Sequence, residues 1–124
     1  MKQSKITYTG LQTLEVLEGA DRYNKWIADA IKPYLSAPVL EIGAGIGNIT
    51  EYFLDIKPFF ATDIEKGLLK KIHNRFRSRS IIVDELDITK LPPAKYRNYF
   101  SSIVCINVLE HIKNDKEALR NVMK

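Results

Sequence analysis

The sequence has little cysteine, no long apolar run and only a small excess of positive charge. Its single cysteine, Cys105, cannot form a disulfide within the chain, and the apolar run around it favours a buried thiol in a reducing compartment. No run approaches the roughly 20 apolar residues that span a membrane, and the first ten residues lack the apolar core of a secretory signal. We therefore expect a cytoplasmic protein with no membrane partner.

The length and the charge limit the domain count and the partners. A chain of 124 residues forms one domain at most, and we assign residues 1–18 to an N-terminal arm and residues 19–124 to the domain. The net charge of +4 does not by itself indicate nucleic acid. A basic run does occur, but no aromatic side chains alternate with its charges, which favours a solvated helix face over a nucleic-acid surface. The run consists of Lys66, Lys70, Lys71, Arg75, Arg77 and Arg79.

The chain does contain a glycine-rich turn that follows a short apolar segment. Val39–Ile42 predicts a buried strand, Gly43, Gly45 and Gly47 follow at alternating positions, and we expect a helix to begin at Asn48. Glycines are needed where a strand turns sharply into a helix and a ligand lies against the bare backbone. Free N–H groups at that helix start, with the positive end of its dipole, would favour an acidic or strongly polar ligand.

The spacing of the glycines separates this turn from two other ligand-binding turns. A dinucleotide fingerprint, G-x-G-x-x-G, would place its third glycine at position 48, where Asn48 stands. A phosphate-binding P-loop needs Gly-Lys-Ser/Thr, and the chain contains no such triplet. The pattern present is an acidic residue, Glu41, followed by glycines at alternating positions.

Strands and helices alternate along the rest of the chain. This alternation predicts parallel strands joined by right-handed crossovers, in a layered α/β sheet. Pro33 is expected to kink or tighten the last turn of the first helix. The predicted helices cover 21–35, 49–54, 64–76 and a final segment that carries Ala118, Leu119, Val122 and Met123, and the later strands cover 57–63, 80–84 and 99–107.

Each predicted strand ends in polar residues that could hold a ligand. In an open α/β sheet the ligand lies beyond the carboxyl ends of the strands. Asp63 lies 22 residues after Glu41, about the separation at which an acidic residue reaches a ribose. Alone, Asp63 could equally cap the following helix, but the upstream glycine turn favours ribose binding. The residues after the last two strands are Asp84, Asp87, Asn107, Glu110 and His111.

Four motifs in this order resemble the class I S-adenosylmethionine-dependent methyltransferases of the small-molecule type. They are residues 39–50, 61–64, 87–92 and 107–112, and the resemblance covers about residues 22–115. One departure is Ser101 after Phe100, where the family usually has a Phe-Asp pair. The resemblance implies a Rossmann-like parallel sheet of seven strands with flanking helices, of which four strands are present here.

The resemblance also implies S-adenosyl-L-methionine as the cofactor and a small-molecule methyl acceptor, with no metal. The glycine turn would pass the methionine part of the cofactor, with Glu41 near its amino group. Asp63 would accept from the ribose hydroxyls and Ile64 would pack on the adenine. The cofactor-binding residues implied are Glu41, Gly43, Ala44, Gly45, Gly47, Asn48, Asp63, Ile64, Asp87, Ile88 and Asn107.

The remaining roles concern the adenine edge, the methionine end and the substrate side. Asp87 and Ile88 would contact the adenine edge, and Asn107 would offer its backbone near the methionine end. His111 would face the substrate and is a weak candidate for a general base, with a satisfied helix-terminal histidine nearly as plausible. Tyr23 and Trp26 would either close over the site or pack in the core.

Three functions stay open at this point. The first is a methyltransferase or its cofactor-binding half, and the second is an inactive cofactor-binding module that pairs with a partner chain. The third, a nicotinamide-dependent oxidoreductase, is disfavoured by Asn48 and by the motif after the fourth strand. Ile103–Ile106 is too apolar for a free sheet edge, so the sequence is a fragment of a longer protein or its edge is covered by another chain. We expect the isolated chain to self-associate or aggregate through that edge.

Overall fold

The structure, a computed structural model, describes residues 10–106 and 115–123. Short 3-10 turns supplement the regular elements and lie at Lys32–Tyr34, Thr50–Phe53 and Ala94–Tyr96. The helices and strands follow one another in the order α1 (Gly10–Ile31), β1 (Val39–Ile42), β2 (Phe59–Asp63), α2 (Lys66–Arg75), β3 (Ile81–Glu85), β4 (Ser102–Cys105) and α3 (Asp115–Val122).

The four strands form one parallel sheet in the order β3-β2-β1-β4, which confirms the predicted parallel α/β architecture. In the register, β1 lies at the centre, with Val39 opposite Phe59 of β2 and Ser102 of β4. The chain runs outward from β1 through β2 to β3 and then returns to the other side of β1. All four carboxyl ends therefore meet at one edge, and the strand order reverses beside β1.

The two faces of the sheet carry separate apolar clusters, because successive side chains of a strand point in opposite directions. We define the first face as the one that contains Val39 and Phe59, and the second face as the one that contains Leu40 and Ile42. The buried residues of the first face also include Ala28, Ala44, Phe53, Ala61, Ile72, Phe76 and Val104. Those of the second face also include Ile88 and Ala118.

The first helix is longer than the sequence pattern predicts. α1 begins at Gly10, so residues 10–18, assigned above to an arm, are helical. Gly10 and Gly19 lower the helix propensity of this stretch, which explains why the pattern there is weak. The tightened turn expected at Pro33 is confirmed, since Lys32–Tyr34 is a 3-10 turn with Pro33 as its middle residue.

The short helix predicted over 49–54 is a 3-10 helix, and no α-helix begins at Asn48. Only a four-residue 3-10 turn, Thr50–Phe53, follows the glycines. Asn48 and Thr50 are poor helix formers, and the segment must reach Pro58 and the start of β2 within a short span. The aromatic ring of Phe53 is nevertheless buried on the first face and stacks on Phe59, with 5.8 Å between ring centroids.

The other predicted elements are confirmed, and the limits of several of them differ by a few residues. β1 matches its predicted range, whereas β4 covers Ser102–Cys105 instead of residues 99–107. Residues 97–99 form a turn in which Asn98 has a positive φ of 56°, so the strand begins after it. Within the described ranges, none of the helices is long and apolar enough to cross a membrane.

Candidate functional site

The glycine turn adopts backbone conformations that favour glycine at all three of its alternating positions. The φ angles are 72° at Gly43, 62° at Gly45 and 94° at Gly47. These values lie in the left-handed region, where a side chain crowds the backbone. The sequence pattern therefore has a direct conformational cause.

The turn is held against β2 by backbone N–H groups that donate to a carbonyl oxygen and to a carboxylate of that strand. The N–H of Ala44 donates to the carbonyl oxygen of Thr62 at 2.8 Å, and the N–H of Gly45 donates to Oδ2 of Asp63 at 3.0 Å. The N–H of Gly47 donates back to the carbonyl oxygen of Ala44 at 3.0 Å. Three N–H groups of the turn are thus satisfied within the protein. The helix dipole expected to favour an acidic or strongly polar ligand is wrong, because a four-residue 3-10 turn and no α-helix follows the glycines.

Asp63 ends β2 and is the carboxylate closest to the turn. Its Oδ2 accepts from Gly45, and its Oδ1 accepts from the N–H of Glu65 at 3.1 Å. Glu65, not Asp63, is the N-cap residue of α2. A carboxylate offers about four acceptor positions, so two bonds leave room for hydroxyl donors. Asp63 is 9% exposed, so a small part of it is open to solvent.

Glu41 lies beneath the turn in a dry environment. It is buried in the middle of β1 and accepts a hydrogen bond from the hydroxyl of Thr50. Burial raises the pKa of Glu41 from 4.5 to about 7, the Thr50 bond opposes that rise, and the nearby charge of Asp63 adds to it. The hydroxyl of Thr62 donates to the carbonyl oxygen of Glu41 at 2.7 Å. Two threonines that no sequence signal singled out therefore fix this residue.

Gly45 and Gly47 have different surroundings. A Cβ added at Gly45 would meet no described atom within 4 Å. A Cβ at Gly47 would lie 2.5 Å from Cε2 of Phe76 and 3.2 Å from a side-chain carbon of Ile72. The fold therefore requires glycine at 47 because α2 packs there, whereas Gly45 leaves bare backbone beside open space, as expected of a position that a ligand approaches.

Arg75, in the last turn of α2, reaches across to the segment after the glycines. Its Nη1 donates to the carbonyl oxygen of Ile46 at 3.0 Å and to Oδ1 of Asn48 at 2.9 Å. Its Nη2 lies 3.1 Å from Oε2 of Glu51. Arg75 is exposed, as expected of the basic helix face, and its guanidinium is also bonded to three residues of the neighbouring segment.

The remaining predicted residues lie close by, with different exposures. Ile64 follows Asp63 and its side chain is 54% exposed, which leaves an apolar surface at the strand end. The side chain of Ile88 is buried on the second face, and its carbonyl oxygen accepts from Nδ2 of Asn121 at 2.8 Å. Oδ1 of Asp87 accepts from both the N–H and the hydroxyl of Thr89, which lowers the pKa of Asp87. The assigned cofactor roles of these residues stay predictions.

Three predicted residues lie outside the described part of the chain. They are Asn107, Glu110 and His111. Tyr23 and Trp26 are described, and their rings lie 6.2 Å apart on α1. Both side chains are more than half exposed, so the alternative of simple core packing is wrong for them.

The fold defines a Rossmann-like domain. Its parallel sheet brings the glycine turn and the carboxylate of Asp63 to the point where the strand order reverses. The family model described as a methyltransferase domain matches residues 40–124, and the chain belongs to this family.

Similar proteins include enzymes of larger size. The chain is 30% identical over 119 residues to a hybrid PKS-NRPS synthetase of Trichoderma harzianum, covering 86% of the chain and 3% of that protein. Among solved structures, a CurJ carbon methyltransferase is 27% identical with a TM-score of 0.66, over 82% of this chain and 30% of that one. Magnesium protoporphyrin IX methyltransferase from Synechocystis PCC 6803, solved with bound SAM, has a TM-score of 0.70 at 10% identity. The match covers 94% of this chain and 59% of that one.

The likeness to the Synechocystis enzyme concerns the fold alone, and it agrees with the Rossmann-like architecture described above. The chain spans only a small part of the synthetase and less than two thirds of each of these solved chains.

Proposed function

We propose that this chain binds S-adenosyl-L-methionine at the glycine turn and takes part in methyl transfer to a small-molecule acceptor. The observation that carries the proposal is the direct contact between Gly45 and Asp63, with open space beside Gly45. This arrangement presents bare backbone and a carboxylate side by side. A ligand with ribose hydroxyls and no phosphate matches these groups, and the membership of the methyltransferase family favours the sulfonium cofactor.

The use of the N–H groups supports this ligand over a dinucleotide. A pyrophosphate needs free backbone donors at a helix start. Here the N–H groups of Ala44, Gly45 and Gly47 are bonded internally, and Asp63 puts a carboxylate beside the turn. Negative groups repel phosphate and favour a ligand with a positive charge and hydroxyl groups. A nicotinamide-dependent oxidoreductase is disfavoured for the same reason.

The residues present fit the cofactor as follows. Asp63 would accept from the ribose hydroxyls, and the exposed side chain of Ile64 would cover one face of the adenine. The bare backbone around Gly45 would lie against the methionine part of the cofactor. Glu41, below the turn, would lie near the amino group of that part. Ile88, whose side chain is buried, would contribute through its backbone beside Asp87.

The chemistry is a displacement in which alignment is the main requirement. When bound, S-adenosylmethionine supplies an activated sulfonium methyl group to a nucleophilic atom of the acceptor. The protein's part is to hold the reacting atoms in line and to exclude water. A base is needed only where the acceptor must lose a proton, and His111 is the candidate for that task. One similar protein is named as a carbon methyltransferase, so carbon nucleophiles are the first acceptors to test.

Calorimetry of the 124-residue chain with S-adenosylmethionine, S-adenosylhomocysteine and NAD tests the proposal. We expect binding of the two sulfur compounds and none of NAD. Asp63→Ala should weaken S-adenosylhomocysteine strongly, and Asp63→Asn, which keeps one acceptor for the N–H of Gly45, should weaken it less. Equal affinity of wild type and Asp63→Ala, or tight NAD binding instead, would refute the assignment.

A second candidate is an inactive cofactor-binding module that needs a partner chain to complete its sheet. The observation that favours it is the edge strand β4, where Ile103 is 38% exposed. Transfer of a labelled methyl group from S-adenosylmethionine to candidate acceptors separates the two functions. Light scattering and amide hydrogen exchange test whether chains associate through β4. A monodisperse monomer in which the amides of residues 103–106 exchange slowly would contradict such association.

A further inference from the structure

We propose that Arg75 is a positioning residue that holds the second half of the glycine turn in the conformation that binds the cofactor. The proposal rests on the function proposed above and adds a residue of α2 to the binding site. It starts from an asymmetry in how the turn is supported.

The first half of the turn is fastened to β2. Ala44 donates to the carbonyl oxygen of Thr62, and Gly45 donates to the carboxylate of Asp63. Both partners belong to a central strand of the sheet, between β1 and β3. The position of Gly45 on that side is therefore set by a strand that is paired on both sides.

The second half has no regular element to fasten it. An α-helix directly after the glycines would supply a ladder of backbone bonds, but only the 3-10 turn Thr50–Phe53 follows. Glycine has the largest conformational freedom of all residues, and the turn carries three of them at positive φ. Within 46–51, the N–H of Glu51 donates to the carbonyl oxygen of Gly47 and the hydroxyl of Thr50 donates to Glu41. Residues 46 and 48 need further contacts from side chains elsewhere in the chain.

Arg75 supplies those contacts. Its planar guanidinium donates to the carbonyl oxygen of Ile46 and to Oδ1 of Asn48, and it pairs with Glu51. Cζ of Arg75 lies 5.1 Å from the ring centroid of Phe76, and that ring packs against Gly47. One side chain thus bonds the residues before and after Gly47, while its neighbour packs against that glycine. A lysine is a poor substitute, because its three donors share one nitrogen atom and lack the planar fork that spaces the donors of a guanidinium.

These contacts contribute more to ordering than to global stability. The side chains of Arg75 and Glu51 are 35% and 36% exposed, and partly exposed ion pairs add little to the free energy of folding. A turn that must be ordered when the ligand arrives lowers the affinity, because ordering opposes binding. Loss of Arg75 should therefore weaken cofactor binding and leave global unfolding nearly unchanged.

The experiment compares Arg75→Met with Arg77→Met in the 124-residue chain. Arg77 lies two residues further on and donates to Asn74, and its substitution by methionine removes the same charge. We expect Arg75→Met to weaken S-adenosylhomocysteine roughly tenfold and Arg77→Met to leave the affinity unchanged. Arg75→Lys should recover part of the loss. The urea midpoints of both Met variants should stay close to that of the wild type.

Amide hydrogen exchange without ligand gives a readout that does not depend on the proposed function. Exchange at Gly47 and Glu51 should speed up in Arg75→Met, whereas exchange at Ala44, which is bonded to β2, should not change. Unchanged exchange at Gly47 and Glu51, or equal effects of the two Met variants on affinity, would overturn the positioning role. If the wild type bound no S-adenosylhomocysteine, the proposed function would fail, and unchanged or faster exchange would still decide the role of Arg75 in the turn.

Discussion

The two faces of the sheet differ in how completely they are covered. On the first face, Val39, Phe59 and Ile72 are fully buried beneath α1, α2 and the 3-10 turn after the glycines. On the second face, Phe60 and Phe100 are only partly buried, and Ile103 on the edge strand is exposed. The glycine turn, Asp63 and Arg75 all depend on the first face. The candidate cofactor site therefore rests on the part of the described fold that has its own complete core.

The sharpest test of this comparison uses two adjacent phenylalanines of β2. Phe59 points to the first face and Phe60 to the second. We expect Phe59→Ala to lower the free energy of unfolding by about 3–5 kcal/mol, because a fully buried ring leaves a cavity. Phe60→Ala should cost about half as much, since its ring is only partly buried. Urea denaturation measures both, and equal losses would show that the faces do not differ as described.

A second test uses the two glycines that face opposite environments. Gly47→Ala should lower the free energy of unfolding by about 2–5 kcal/mol, because a left-handed backbone and the ring of Phe76 both oppose a Cβ. Gly45→Ala should cost only about 1 kcal/mol, from the backbone alone. The effect on ligand affinity should differ from the effect on stability: Gly45→Ala should fold but bind S-adenosylhomocysteine more weakly. A Gly47→Ala variant as stable as the wild type would contradict the packing argument.

Titration of Glu41 tests whether water is excluded from this carboxyl group on the first face. The folded-state pKa of about 7 exceeds the ordinary value of 4.5, so between these pH values the native state holds a proton that the unfolded state has lost. The free energy of unfolding should therefore fall by at most about 3 kcal/mol as the pH rises from about 4.5 to 7.

The control for that titration is Glu41→Gln, which cannot ionise. The difference between the wild type and Glu41→Gln isolates this group from carboxylates such as Asp87, whose pKa is lowered and whose contribution is lost at acid pH. Urea denaturation across the pH range gives the difference curve. A flat difference between pH 4.5 and 7 would mean that Glu41 is hydrated in the folded protein.

The smallest effect is expected on the second face. Asn121 of α3 is buried and donates from Nδ2 to the carbonyl oxygen of Ile88. Asn121→Ala should lower the free energy of unfolding by about 1–2 kcal/mol, because that carbonyl loses its partner. Lys116→Ala, at an exposed position of the same helix, serves as the control and should stay within about 0.5 kcal/mol. A loss as large as that of Phe59→Ala would place α3 in the main core.

Sequence reasoning succeeded for the local features of the site. The strand Val39–Ile42 and the position of Asp63 at a strand end are as predicted. Local sequence patterns predict such features, because strand formation and a positive φ depend on a few neighbouring residues. The helix at Asn48 was predicted wrongly by the same reasoning. A strand-turn-helix pattern is common after such glycines, but here Asn48 and Thr50 are poor helix formers and only a 3-10 turn follows.

The sequence by itself determined the alternation of strands and helices, the three glycines and the carboxylates at the strand ends, since each follows from residues close together in the chain. Only the tertiary structure decided that Thr50 bonds the buried Glu41 and that Arg75 holds the turn from 27 and 29 residues away. The same contacts decided that the turn's N–H groups are used within the protein. These partners meet because the sheet and α2 pack together, and no local pattern records which distant side chain will face which backbone atom.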